Sequence, residues 1–356
     1  MITVSIINVT SYTGLELLRL IAQHPQFRIT SVTGRSAAGK RLADVFPHLH
    51  MATTANINPT MRIADEPELS ELAFVCLPHA AAAESVQSLL ARGSKVIDLS
   101  ADFRLQDASV YEEWYRHVHP APALLETAVY GLCERYAERI KEASLVANPG
   151  CYATAAILGL LPAVAAGSIT SGIIIDAKSG TSGAGRSPTQ GTHYAEVNED
   201  VGAYSLDGHR HLPEIIQELE AAAREGGQPI QQPLRITFVP HLMPMTRGIL
   251  ATCYANLNAT GTSSISTTAQ ARSLYKTYYE DQPFVRVVDT PPHTKWTYGS
   301  NFCCIYPMVD TRTNRLIVIS CLDNLVKGAA GQAIQNANRL YGLPETAGLT
   351  SLALYP

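Results

Sequence analysis

Along the chain, short β-branched and apolar runs alternate with stretches whose apolar positions recur every three to four residues. Ile2 to Ile7 is a run of the first kind and predicts a strand. A small, polar turn over 8–14 follows it. Leu15, Leu17, Leu18, Leu20 and Ile21 then recur at helical spacing as far as His24-Pro25. Phe27 to Thr33 predicts a second strand and Leu72 to Leu77 a short buried one, ended by Pro78. A helix is expected from about His79 to Arg92, with Gly93 where a helix C-cap glycine belongs. Lys95 to Leu99 and Ser144 to Ala147 predict two more strands. Strands that alternate with helices in this way imply a parallel sheet covered on both faces.

The pattern changes after about residue 170. Strands are expected at Gly172 to Ala177, Arg235 to Val239, Ile249 to Leu257, Val285 to Val288, Phe302 to Val309 and Leu316 to Ser320. Only one helix, Leu212 to Arg224, interrupts them, and a glycine-rich loop runs from Ser179 to Gly191. Gly226 to Pro233 and Asn258 to Ser264 read as surface connections. The fold class expected is α/β: a Rossmann-like parallel sheet over 1–150, then an α+β domain with a largely antiparallel or mixed sheet over 151–324. A last helix, Leu325 to Tyr341, belongs to a segment over about 325–356 that returns to the first sheet.

Composition narrows the function. The chain has 356 residues, 46% hydrophobic and 16% charged, which is a globular and not a disordered balance. Formal net charge is −4, so no basic excess points to nucleic acid or an anionic membrane. The most apolar stretch, Ala153 to Gly167, is interrupted by Gly159 and Pro162 and is too short for a membrane span, which needs ~20 residues. The first residues read as a strand and not as a signal peptide. Seven cysteines without a CxxC pair argue against a disulfide framework or structural zinc, and for reduced thiols in the cytoplasm.

Three places carry chemistry. The first turn, Asn8-Val9-Thr10-Ser11-Tyr12-Thr13-Gly14, keeps one glycine of a phosphate-binding cradle, with Asn8 tolerant of positive φ and Ser11 small. After the second strand, Gly34-Arg35-Ser36 replaces the acidic residue that selects NAD, and suits a ribose 2′-phosphate. Cys151 follows a strand and Asn148-Pro149-Gly150, and opens an apolar helix whose N-terminus stabilises a thiolate. It alone of the seven cysteines has that setting. A cysteine nucleophile needs an acid–base partner, and His209 and His211 are candidates, with Glu214 placed to orient an imidazole. No metal-binding constellation accompanies them.

Longer segments resemble a known family. They include Leu77-Pro78-His79, Val96 to Arg104, Asn148-Pro149-Gly150-Cys151-Tyr152, Asp176 to Gly180, Ser182 to Arg186, Gly208-His209-Arg210-His211, Pro244 to Gly248, Gly299-Ser300-Asn301 and Asp323 to Gln332. Together they make the chain similar to the N-acetyl-γ-glutamyl-phosphate reductases, the arginine-pathway branch of the semialdehyde dehydrogenase group. The departure is the first turn, where Asn8 and Ser11 stand for two of the family's glycines. The resemblance implies NADPH-dependent reduction of N-acetyl-γ-glutamyl phosphate to the 5-semialdehyde through a thioester on Cys151. His209 would then be the acid–base group and Glu214 its orienting carboxylate. It further implies cofactor contacts from Thr10, Ser11, Tyr12, Thr13, Gly14, Arg35, Ser36, Pro78, Ser100, Ser179, Gly180 and Asn324. Substrate contacts would come from Arg104, Arg186, Tyr204, Arg210 and Arg247. A homodimer or homotetramer is expected.

Three alternatives stay open at this stage. The same chemistry serves aspartyl phosphate or carrier-linked aminoadipyl or glutamyl phosphate. A thiol acyltransferase or hydrolase would keep Cys151 and His209 without a dinucleotide. A non-catalytic NADP-binding regulator would explain the altered first turn.

Overall fold

The computed structural model describes residues 1–227, 234–258 and 265–356. The connections expected at 226–233 and 258–264 lie for the most part outside the described residues. The chain divides into two compact units, Met1–Gly150 with Ala329–Ser351, and Cys151–Gly328 with Leu352–Pro356. Residues 325–328 and 352–356, assigned from the sequence to the first domain, fall in the second unit. The tail is held there by the Leu354 N–H, which donates to Tyr298 O over 2.8 Å.

In the first unit β1 (Ile2–Ile7) runs into α1 (Tyr12–Ala22) and β2 (Phe27–Val32). A short α2 (Leu42–Val45), β3 (Leu72–Val75), α3 (Ala83–Ala91) and β4 (Lys95–Asp98) follow. Next come α4 (Ala108–Tyr115), α5 (Pro122–Leu125), β5 (Val129–Tyr130), α6 (Cys133–Glu142) and β6 (Leu145–Ala147). The six strands are all parallel in the order β2-β1-β3-β4-β6-β5. Successive side chains of a strand point to opposite faces. Accordingly Ala73, Val75, Val96, Leu145 and Ala147 join α3, Phe103 and Leu125 in one core. The order reverses at β1, so the turn after it lies beside the loop after β3 at a topological switch point, where α/β sheets bind ligands.

The second unit opens with α7 (Cys151–Ala165), followed by β7 (Ile173–Gly180), α8 (Tyr194–Val197), β8 (Gly202–Ala203) and α9 (Leu212–Glu225). Then come β9 (Ile236–Met243), β10 (Ile249–Asn256), α10 (Thr268–Tyr278), β11 (Val285–Val287), β12 (Cys303–Asp310) and β13 (Arg315–Leu322). Its seven strands form a mixed sheet in the order β11-β12-β13-β10-β7-β9-β8. Helices α7, α9 and α10 pack on one face of it. On the other, Ile174 is 40% exposed and Leu250, Tyr254, Tyr306, Ile317 and Ile319 are half-buried.

Neither Gly159 nor Pro162 breaks α7. Proline has no N–H, which deprives the carbonyl four residues earlier of its helical donor. That carbonyl, Leu158 O, accepts instead from Tyr279 Oη at 2.6 Å, and Gly159 O accepts from Tyr275 Oη at 2.7 Å. No helix among the described residues is long and apolar enough to cross a membrane.

A five-residue π-helical segment, Val326–Ala330, precedes α11 (Gly331–Leu340). This last helix is polar in sequence yet buried throughout most of its length. Gln332 donates to Gly131 O, Gln335 to Glu134, Asn336 to Asn148 Oδ1, and Asn338 to Glu345 O and Ala347 O. Burial of polar side chains is tolerated where each finds a partner.

Candidate active site

Cys151 is the first residue of α7 and is only partly buried; all seven cysteines are free thiols. Burial pushes Cys76, Cys253 and Cys321 up to about 12 and raises Cys303 and Cys304 as well, so those thiols stay protonated. The helix-opening position is not unique to Cys151, as the sequence suggested: β5 and a two-residue turn also put Cys133 first in α6. There the thiol is buried and donates to Asn336 Oδ1 over 2.9 Å, which makes it a core group.

Next to Cys151, Tyr152 donates through Oη to His241 O at 3.1 Å and accepts from Tyr204 Oη at 3.2 Å. Burial is the main cause that raises both phenols, Tyr204 to about 12. A charge on Cys151 raises them further, which puts the sulfur within electrostatic reach of the pair. The ring of His209 meets Tyr152 edge-on at 5.6 Å and Tyr204 at 5.7 Å, with Phe238 at 5.3 Å. The second unit therefore brings Cys151, Tyr152, Tyr204 and His209 together. Residue type and spacing do not single out Tyr152; the one signal for it in the sequence is its adjacency to Cys151 in the Asn-Pro-Gly-Cys-Tyr run.

Burial, and secondarily Arg210, lower His209 to about 4, so the ring is neutral at pH 7. Its Nδ1 accepts from the His211 N–H, so the imidazole is fixed by a turn of backbone. Glu214 is buried in the first turn of α9. Arg186 and Arg210 are exposed, while Arg247 is half-buried with its guanidinium 5.9 Å from the Tyr298 ring.

Other expected contacts are engaged inside the protein. Arg104 is buried and donates to Asn148 O and Leu99 O at 2.8 and 2.9 Å, so it braces two strand ends. Ser100 is buried and bonded through N–H and Oγ to Asp98. Asn324 accepts from Gly248 N–H and donates to Ser182 Oγ. Ser179 is buried with Oγ donating to Gly180 O, and the Gly180 N–H donates to Gly248 O. Pro78 lies exposed beyond β3.

The first turn fits a dinucleotide. Asn8 sits at φ +64, the conformation that a glycine would supply, with its amide donating to Cys76 O at 2.8 Å. Ser11 caps α1 by accepting from Gly14 N–H. A Cβ on Gly14 would stand 2.8 Å from Asn8 O, so only glycine allows this close approach. Tyr12 and Thr13 open the helix, where N–H groups have no intrahelical acceptor and suit a pyrophosphate. Thr10 donates to Asn8 Oδ1 and shapes the turn from within. Asn8 and Val9 both donate to Thr33, which places the exposed Arg35 and Ser36, two and three residues on, beside the cradle.

Two domain models fit this division. The semialdehyde dehydrogenase NAD binding domain matches residues 3–143 and the semialdehyde dehydrogenase dimerisation domain matches 151–324. The chain belongs to the semialdehyde dehydrogenase family. Within that family it is 52% identical to the N-acetyl-gamma-glutamyl-phosphate reductase of Dehalococcoides mccartyi strain CBDB1, over 99% of this chain and 98% of the relative. It is 48% identical to the reductase of the same name from Pelotomaculum thermopropionicum, over 100% and 99%. Among solved structures of the family fold, aspartate semialdehyde dehydrogenase II from Vibrio cholerae complexed with ASA superimposes with a TM-score of 0.68 at 15% identity. That match covers 96% of this chain and 98% of the other. Aspartate semialdehyde dehydrogenase with NADP from Candida albicans gives 0.68 at 14% identity, over 96% and 99%.

Proposed function

We propose that the chain reduces N-acetyl-γ-glutamyl phosphate to N-acetylglutamate 5-semialdehyde with NADPH, releasing phosphate, as a cytoplasmic step of arginine biosynthesis. The observation that carries this reading is a partly exposed thiol at a helix N-terminus, beside two protonated tyrosines and a neutral histidine, in a chain about half identical to reductases of that name.

Cys151 attacks the acyl carbon as a thiolate. A C–S bond forms, the C–O bond to phosphate breaks, and phosphate leaves with that electron pair. The first-turn residues Thr10 to Gly14 would hold the dinucleotide, which when bound would supply the hydride that reduces the thioester. Collapse of the resulting oxyanion breaks the C–S bond, frees the aldehyde and returns the thiolate. His209, neutral with its proton on Nε2, donates to the oxygen on which charge develops. Tyr152 and Tyr204 keep their protons, and their rings stand beside that of His209. We assign Arg186, Arg210 and Arg247 to the substrate's carboxylate and phosphate, which a planar guanidinium binds in bidentate fashion. A second copy of the chain docks on the half-exposed apolar face of the seven-stranded sheet, which light scattering of the purified protein tests.

The decisive assay runs the reaction backwards: phosphate-dependent reduction of NADP with N-acetylglutamate semialdehyde, against aspartate semialdehyde and carrier-linked aldehydes. The first substrate is expected to react best. Cys151→Ser is expected to remove activity and leave NADPH binding intact, because an unactivated hydroxyl is a far weaker nucleophile. Retention of more than roughly a tenth of turnover rules out the covalent route.

A further inference from the structure

Between β13 and α11 lies a buried carboxylate that the chemistry above does not use. Asp323 is 0% exposed. Its Oδ1 accepts from the N–H groups of Leu325 and Val326 at 2.8 and 3.1 Å. Its Oδ2 accepts from Gly299 N–H at 2.7 Å and stands 3.7 Å from Nη1 of Arg247. Its main-chain oxygen accepts from Gly328 N–H at 2.9 Å, which closes the turn five residues on. Gly328 in turn is pressed against the nucleophile. A Cβ there would stand 2.7 Å from Cys151 Cβ and 3.2 Å from its Cα. Irregular π-type turns of this kind recur at functional sites, where they aim a residue that a regular helix would misplace.

We propose that Asp323 is a positioning residue that sets two groups at once: Cys151, through the Asp323–Gly328 turn, and Arg247, through the carboxylate–guanidinium contact. One oxygen fixes the start of the turn and the other holds the arginine, so the site for the substrate anion and the site of attack share a single anchor. The inference rests on the reading of Cys151 as nucleophile and Arg247 as an anion-binding group. A full negative charge is needed for this double duty. An amide of the same size still accepts on one side, but its NH₂ meets Gly299 N–H and offers Arg247 nothing.

The test is a pattern across three variants in the reverse assay, with alkylation of Cys151 by iodoacetamide as a second readout. Arg247→Ala is expected to raise KM for phosphate or for the semialdehyde about tenfold or more, and to leave the alkylation rate unchanged. Gly328→Ala is expected to lower kcat ~10²-fold and change the alkylation rate with KM unaltered, since a misplacement of ~1 Å costs that much. Asp323→Asn is expected to do both, with NADPH affinity within twofold of wild type. Its effect on KM combined with Arg247→Ala is expected to be less than additive. Asp323→Asn that merely lowers Tm, or that moves KM alone, overturns the proposal. Should Asp323→Asn not fold, wild-type kcat and alkylation in Gly328→Ala overturn it equally. Cys151→Ala separates the two layers: if that variant stays active, the proposed function fails and this inference with it. If it is inactive while the other variants behave as wild type, only the positioning role fails.

Discussion

The main-chain N–H of His211 donates to Nδ1 of His209 over 3.1 Å, and this bond leaves the proton of the neutral His209 ring on Nε2. His211 thus serves its neighbour through its backbone and not through its ring.

His209→Asn is therefore expected to lower turnover by ~10²–10⁴, the usual range for loss of an acid–base group, with NADPH affinity unchanged. His211→Asn keeps the N–H and is expected to be much milder. Steady-state kinetics of the two variants decide; the reverse ranking means that the chemistry belongs to the other ring.

Stability is expected to depend on the same imidazole. Burial, with Arg210 second, lowers His209 from 6.5 to about 4 in the folded chain. Between those values the unfolded chain binds a proton that the folded one refuses. Stability contributed by the neutral ring is present above pH 6.5 and is lost progressively as pH falls toward 4, by about 3 kcal/mol in the limit. Urea denaturation at pH 7.5 and pH 4.5 measures this. Wild type is expected to lose more stability over that interval than His209→Asn, and equal losses would falsify the depressed value.

Cofactor choice is expected to rest on Arg35. It is exposed just after β2, beside the cradle, and the 2′-phosphate that NADP has in place of NAD's hydroxyl is expected to meet it there. A charge-assisted pair is worth ~1.5–3 kcal/mol, so NADPH is expected to bind roughly 10–100-fold tighter than NADH. Titrating Arg35→Ala with both cofactors should show NADPH affinity lost, NADH affinity kept, and weaker salt dependence. Equal weakening of both would mean that Arg35 reads the shared part of the dinucleotide.

The first turn yields a ranking of stabilities. Asn8→Gly keeps the left-handed conformation and loses the amide bond to Cys76 O, a cost of ~1 kcal/mol. Asn8→Ala loses the bond and adds left-handed strain of another ~1 kcal/mol. Gly14→Ala puts a Cβ 2.8 Å from Asn8 O and is expected to cost ~1–3 kcal/mol and to weaken both cofactors alike. Thermal unfolding and NADPH titration check the order; an Asn8→Ala more stable than Asn8→Gly contradicts it.

Much of this protein was legible from local pattern. Period-two and helical spacings marked the principal strands and α1, α3, α7 and α9, and motif order marked Cys151 and His209. Such signals survive in sequence because they depend on neighbours within one turn or one strand. The Thr267–Gln270 capping box that starts α10 is a local signal of the same kind. Other features depended on partners distant in the chain. Polar α11 is buried because Gly131, Asn148 and Glu345 receive its side chains. Pro162 does not break α7 because Tyr279, far downstream, donates to Leu158 O. Arg104 Nε donates to Asn148 O, which lies 44 residues further along the chain. Residue type and spacing declare what a side chain is able to bond. Only the packed chain decides which bond it makes, because donor and acceptor there lie within 3 Å though tens or hundreds of residues separate them along the sequence.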